Sequence, residues 1–132
     1  MGKFRMKDKR YVYRISELPI TWLTESSRTR FLLGDNILIS FIENPPGTEF
    51  PLHKHECEQI LIILEGSEEH VIDGQTFHVE AGDVVVHPPN VEHGGYTKTG
   101  FKGIDIFCPP RDSHLELMLK QGLIVEEGKE DE

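Results

Sequence analysis

Cysteine is scarce: Cys57 and Cys108 are the two in the chain. Far apart and outside any Cys-x-x-Cys motif, they form no disulfide framework, and a reducing compartment, the cytoplasm, is expected. Long apolar runs are missing too. The longest, Ile60 to Leu64, has five residues, against the roughly 20 that span a bilayer. The basic N-terminal stretch (Lys3, Arg5, Lys7, Lys9, Arg10) leads into no apolar segment, which argues against a secretory signal. Positive charge is in the minority, 14 Lys and Arg against 23 Asp and Glu, for a net charge of −9. Phosphate backbones need a basic face, so neither nucleic acid nor a membrane is an expected partner.

What is present fits one domain. The 132 residues are read as a single domain over 1–128, with a barrel core of about 36–108 and an acidic tail at 129–132 that is expected to be disordered. Charge is uneven: six of the first 14 residues are Lys or Arg, and five of the last seven are Asp or Glu. Two solvated ends explain this; a basic arm meeting an acidic tail across a dimer is the alternative.

Nearly every segment after Tyr11 reads as strand. Asn36 to Glu43 carries Ile37, Ile39 and Phe41 on one parity. Gln59 to Leu64 is apolar at successive positions and is expected to be buried on both faces. Glu68 to Ile72 and Gln75 to Val79 flank Asp73-Gly74, a type I′ hairpin dipeptide. Asp83 to His87 and Phe101 to Phe107 follow, with Pro and Gly clusters between strands. The expected fold class is all-β, a sandwich or barrel. One helix is expected, Ser113 to Gln121, with Ser113 and Glu116 as a capping box and Gly122 as its stop. Tyr11 to Ile15 and Ile20 to Thr24 are read as outer strands without an internal partner, and so as the pairing surface of a homodimer.

The stretch from Gly47 to His93 carries the chemistry. It reads Gly47-x5-His53-x-His55-x3-Gln59-x6-Gly66, then Gly82-x5-Pro88 and His93, with 15 residues between Gly66 and Gly82. Side chains two apart on a strand face the same way, so His53 and His55 can bite one metal. Gln59 shares their parity, whereas Glu56 and Glu58 do not, unless a bulge intervenes. His93 has to reach the site from another strand. Neutral imidazole is the commonest metal ligand, and the combination is far more specific than His-x-His alone.

These two blocks resemble the two cupin motifs, with Gln59 in the place usually held by Glu, Asn90 where Gly is preferred and Thr97 where Asn is preferred. The resemblance implies a jelly-roll (double-stranded β-helix) barrel with a short C-terminal helix. It also implies a divalent transition metal, Ni, Zn, Mn or Fe, on His53, His55, Gln59 and His93. The segment Asp105-Ile106-Phe107-Cys108-Pro109-Pro110-Arg111 is similar to that of KdgF-type pectin-degradation cupins, which open 4,5-unsaturated uronates to the linear keto form. The histidine-to-glutamine gap is one residue shorter here. By that resemblance Asp105, Phe107 and Arg111 fall on catalytic positions, and the partner is a small anionic, sugar-like substrate.

The residues fit that chemistry independently. Three imidazoles and a carboxamide leave a metal with about +2 of charge, which suits an anionic, oxygen-rich ligand. Asp105 and Phe107 share a parity, Asp105 could move a proton, and Arg111 could clamp a carboxylate. Bland readings stand beside these: Gln59 bonded to backbone, Asp105 supporting a histidine, Arg111 in a surface ion pair, Phe107 in the core. His70, His78 and His87 read as surface or barrel-rim residues, His114 as part of the helix face, and Cys57 as a buried apolar residue. A metal-dependent isomerase or tautomerase, a dioxygenase-type cupin and a non-catalytic small-molecule binder are the three function classes that remain.

Overall fold

A computed structural model describes residues 3–128; the acidic tail at 129–132 lies outside them. The strands are β1 (Phe4–Met6), β2 (Ile20–Trp22), β3 (Arg28–Leu33), β4 (Leu38–Asn44), β5 (Glu49–His53), β6 (Glu58–Ile72), β7 (Gln75–Glu80), β8 (Val84–His87), β9 (His93–Tyr96), β10 (Phe101–Cys108) and β11 (Ile124–Glu126). The helix α1 spans Asp112–Gln121. Alternation dictates the layering. On β10, Phe101, Gly103, Asp105 and Phe107 point inward and are buried, while Lys102, Ile104, Ile106 and Cys108 point outward.

The long strand β6 organises the barrel. Its first half pairs with β10 on one side and β8 on the other. Its second half pairs with β7 and β9. The two segments expected as separate strands, Gln59 to Leu64 and Glu68 to Ile72, are therefore one strand that crosses between two faces of an all-β jelly roll. The crossing is at Gly66, whose φ is +80° and where a Cβ would sit 2.0 Å from the carbonyl oxygen of Gly100. No other residue type fits there. The Asp73-Gly74 turn has φ of 50° and 76°, as a type I′ hairpin requires.

Several expectations change. Tyr11 to Ile15 is not a strand: Tyr11 and Val12 are almost wholly exposed and the segment joins neither sheet. Ile20–Trp22 is a strand, but it pairs with β3 of its own chain, which removes the stated reason for edge-to-edge dimerisation. Among the described residues, β1 in the basic N-terminal stretch pairs with β11 of the same chain, with Arg5 opposite Val125. Helix α1 starts one residue early. Arg111 occupies the N-cap position without a side-chain bond, so Ser113 lies inside the first turn. Gly122, in the left-handed region, ends the helix as expected. Finally, Ile60 and Ile62 are half-exposed and Leu64 is 52% exposed, so the outer face of β6 is open where burial on both sides was expected.

Two apolar clusters fill the interior. One gathers Phe31, Leu38, Phe107, Leu115 and Met118 beneath the helix; the other gathers Ile42, Leu61, Ile63 and Phe101. A cavity of about 280 Å³ shares residues with both, and Gln59, Glu68, His70 and Asp105 give it polar walls.

Candidate metal centre

His53 ends β5, His55 follows in the connecting loop, and His93 opens β9, opposite His53 in the strand register. Their ligand atoms lie within 4.8 Å of one another. Each ring is oriented by a backbone carbonyl. His53 Nδ1 donates to Pro51 O (2.9 Å), His55 Nδ1 to Cys57 O (2.9 Å) and His93 Nδ1 to Val91 O (2.9 Å). A carbonyl can only accept, so Nδ1 carries the proton in all three and every Nε2 presents a lone pair. Burial lowers the pKa of His53, and lowers that of His93 to about 4. Both are therefore held in the neutral form that ligates.

Gln59 lies beside the three histidines. A loop, not one continuous strand, joins His53 to β6, and at the start of β6 Gln59 is buried while Glu58 is exposed. Gln59 Oε1 lies 3.0 Å from His55 Nε2. With that nitrogen deprotonated, two acceptors face each other, and a cation relieves the repulsion. Both atoms are donors that a divalent metal would accept. His93 Nε2 is buried with no hydrogen-bond partner, an arrangement that is costly unless something binds there. These observations fit a divalent metal.

Asp105 lies next to this group. Its Oδ1 accepts from Gln59 Nε2 at 2.7 Å, so one amide ties the carboxyl to the histidine cluster. Burial raises the Asp105 pKa to about 6, against the opposing Gln59 bond. Phe107 packs edge-on against His55 at 5.9 Å. The Arg111 guanidinium lies 5.8 Å from the centre of the Phe107 ring, half-buried at the cavity wall. Asp105, Phe107 and Arg111 thus line the same cavity as His53, Gln59 and His93.

Two histidines expected at the surface are buried. His87 is fully enclosed and His70 is 5% exposed; His78 alone of the three is exposed, against Glu69. His87 Nδ1 donates to Gln59 O (3.1 Å), which leaves its Nε2 as an acceptor for His70 Nε2–H at 2.7 Å. His70 Nδ1 then meets Glu68 Oε1 at 2.5 Å. One proton decides whether that contact is imidazolium with carboxylate or imidazole with acid. Glu68 and His70 share one strand parity, but the burial that joins them to His87 is set by strand pairing. His114 does sit on the helix, but on its buried side between Phe31 and Phe107. Cys57 is a packing residue: its Sγ lies 3.3 Å from His55 Nδ1, behind the ring, and burial raises its pKa. Asn90 has φ of 61°, which explains why Gly is preferred at that position in the motif.

Known proteins share the fold. Residues 40–104 match the family described as Cupin domain. A Bacillus subtilis protein named H2HPP isomerase is 32% identical over 96 residues, covering 64% of this chain and 41% of that protein. The chain spans less than half the length of the curated relatives it matches. Among solved structures, an RmlC-like cupin from Shewanella frigidimarina aligns with a TM-score of 0.76 at 25% identity, covering 83% of this chain and 99% of that one. KdgF from Halomonas sp. aligns with a TM-score of 0.73 at 20% identity, covering 80% and 99%. By its jelly-roll barrel, the family match across its core and its clustered histidines, the chain belongs to the cupins.

Proposed function

We propose that this cupin is a metal-dependent isomerase that opens or tautomerises a small keto or 4,5-unsaturated uronic acid. The observation that carries the reading is a buried carboxyl with its pKa raised to about 6, Asp105, bonded to Gln59 beside three inward-aimed imidazoles. The names of two similar proteins, an isomerase and KdgF, support the reaction class.

His53, His55, Gln59 and His93 would hold the metal, and when bound it supplies positive charge where an oxyanion or enolate develops. Arg111 binds the substrate carboxylate, and Phe107 walls one face of the sugar. Asp105 handles the proton. In a ring opening, the bond between the anomeric carbon and the ring oxygen breaks and the anomeric hydroxyl loses its proton. A proton is then delivered to the alkene carbon beside the new ketone. Asp105 accepts the first as carboxylate and returns one as acid, so nothing is oxidised or reduced. A carboxyl poised near neutrality suits both directions.

The test is an assay of metal-loaded protein on unsaturated uronates, following loss of conjugated-alkene absorbance, with oxygen uptake recorded in parallel. Asp105→Asn should lower kcat by roughly 10²–10⁴-fold at unchanged metal content, and Arg111→Leu should mainly raise KM. Failure to accelerate any unsaturated uronate or keto acid tautomerisation, or oxygen uptake coupled to turnover, would overturn the assignment.

A further inference from the structure

The chain of buried groups Glu68, His70 and His87 has no part in the proton transfers above, yet Glu68 and His70 line the same cavity as Asp105 and Arg111. Asp105 and Arg111 reach that cavity from β10 and the turn after it. Glu68 reaches it from the second half of β6, which pairs with β7 and β9. Glutamate is almost never fully buried unless paired, and Glu68 is 2% exposed. The barrel makes room for it: at Gly95 a Cβ would sit 2.8 Å from Glu68 Oε2 and 2.9 Å from its Cδ.

The hydrogen bonds fix what this carboxyl can do. His70 Nε2–H donates to His87 Nε2, so the remaining nitrogen, Nδ1, faces Glu68 Oε1 at 2.5 Å. Two bare lone pairs would repel at that distance, so one proton lies between them. The pair is then either imidazolium with carboxylate or imidazole with acid, and its net charge is zero both ways. An anionic ligand is not repelled. In both forms Oε2 is an acceptor only, and it is left without a hydrogen-bond partner among the described residues. His87 Nδ1–H, anchored on the Gln59 carbonyl, holds the far end of the chain. Oε2 is thus a fixed, desolvated acceptor at the cavity wall, beside apolar Leu61 and Phe101.

We infer that Glu68 is a specificity-determining residue, whose Oε2 accepts a hydrogen bond from a ring hydroxyl of the substrate. The inference rests on the uronate reading and deepens it: Arg111 takes the carboxylate, and Glu68 selects a hydroxylated ring over an apolar or deoxygenated one. A ligand without that hydroxyl would cover Oε2 and leave it unpaired, which is costly at a buried acceptor.

The test pairs calorimetric titration of metal-loaded protein with a saturated hexuronate and kinetics on a 4,5-unsaturated uronate, each against the 2-deoxy and 3-deoxy analogues. In the wild type one analogue should lose at least ~10-fold in affinity and in kcat/KM. Glu68→Gln keeps an oxygen for the cavity while its amide donates to His70, and should preserve that ratio. Glu68→Leu should bring the ratio close to one at unchanged metal content. A residue that served packing alone would alter all ligands equally and leave the ratio as it was. Should Glu68→Leu fail to fold, the wild-type ratios and Glu68→Gln still decide. Selective binding of the hydroxylated acid without turnover would sink the isomerase reading and uphold this one. Turnover of both analogues as fast as the parent uronate, or an undiminished ratio in Glu68→Leu, overturns the role of Glu68 and leaves the isomerase reading intact. Binding of none of these acids overturns both.

Discussion

Gln59 serves two functions through one amide. Its Oε1 faces His55 Nε2 and its Nε2 holds Asp105, so the metal site and the acid share a support. In the proposed site, replacing an imidazole would remove a coordinating bond, whereas losing Gln59 would remove a weaker oxygen donor. His93→Ala should therefore cost more than the roughly 10–100-fold in metal affinity typical of outer-shell changes, and Gln59→Ala about 10-fold. Equilibrium dialysis with elemental analysis decides, and full metal stoichiometry in His93→Ala would remove the site. The histidine cluster was readable from the motif spacing, although His55 lies in the loop after β5 and not on one strand with His53. Asp105 was placed by strand parity and by the family likeness. His70 and His87 were not, because nothing local marks a buried histidine: its burial depends on Glu68 and Gln59, brought near by strand pairing.

Strand β6 shows what pattern reading captures and where it stops. Its two halves were each visible as apolar or alternating runs, and the hairpin at Asp73-Gly74 was read from the dipeptide. Their continuity was hidden, because Gly66 usually signals a turn and here permits a crossing. β1 and β11, three residues each, are too short for any periodicity and exist because they pair with each other. Gly66→Ala tests the crossing. The new methyl would collide with the Gly100 carbonyl, 2.0 Å away, at a φ of +80°. A loss of ~3 kcal/mol or more in urea denaturation is expected, beyond the typical cost of about 1 kcal/mol for a point substitution. Near-wild-type stability would show that the strand shifts freely at this point.

At the scale of the molecule, buried titratable groups set how the fold responds to acid. Burial lowers His87 and His114 to about 3, and His93 to about 4. The unfolded chain takes up these protons near 6.5, so their contribution to stability is present above that pH and is lost as pH falls through the interval. Asp105 acts in the opposite sense. Its folded pKa of about 6 exceeds the unfolded value, so its contribution is present below about 4 and lost as pH rises to 6. Between pH 4 and 6 three histidines oppose one carboxyl, and the metal-free protein should weaken on acidification. Each histidine contributes at most ~1.4 kcal/mol per pH unit. His114 isolates one of them. Its ring packs 4.9 Å from Phe31 and 5.0 Å from Phe107, and its buried Nδ1 has no partner. His114→Phe keeps an aromatic ring there and removes the proton acceptor. With chelator present, urea denaturation at pH 7 and pH 5 should show the wild type losing stability on acidification and His114→Phe losing less, by up to ~1.4 kcal/mol per pH unit. Equal losses in the two proteins would mean that His114 is already protonated within the fold, with Nδ1 bonded to a partner such as water.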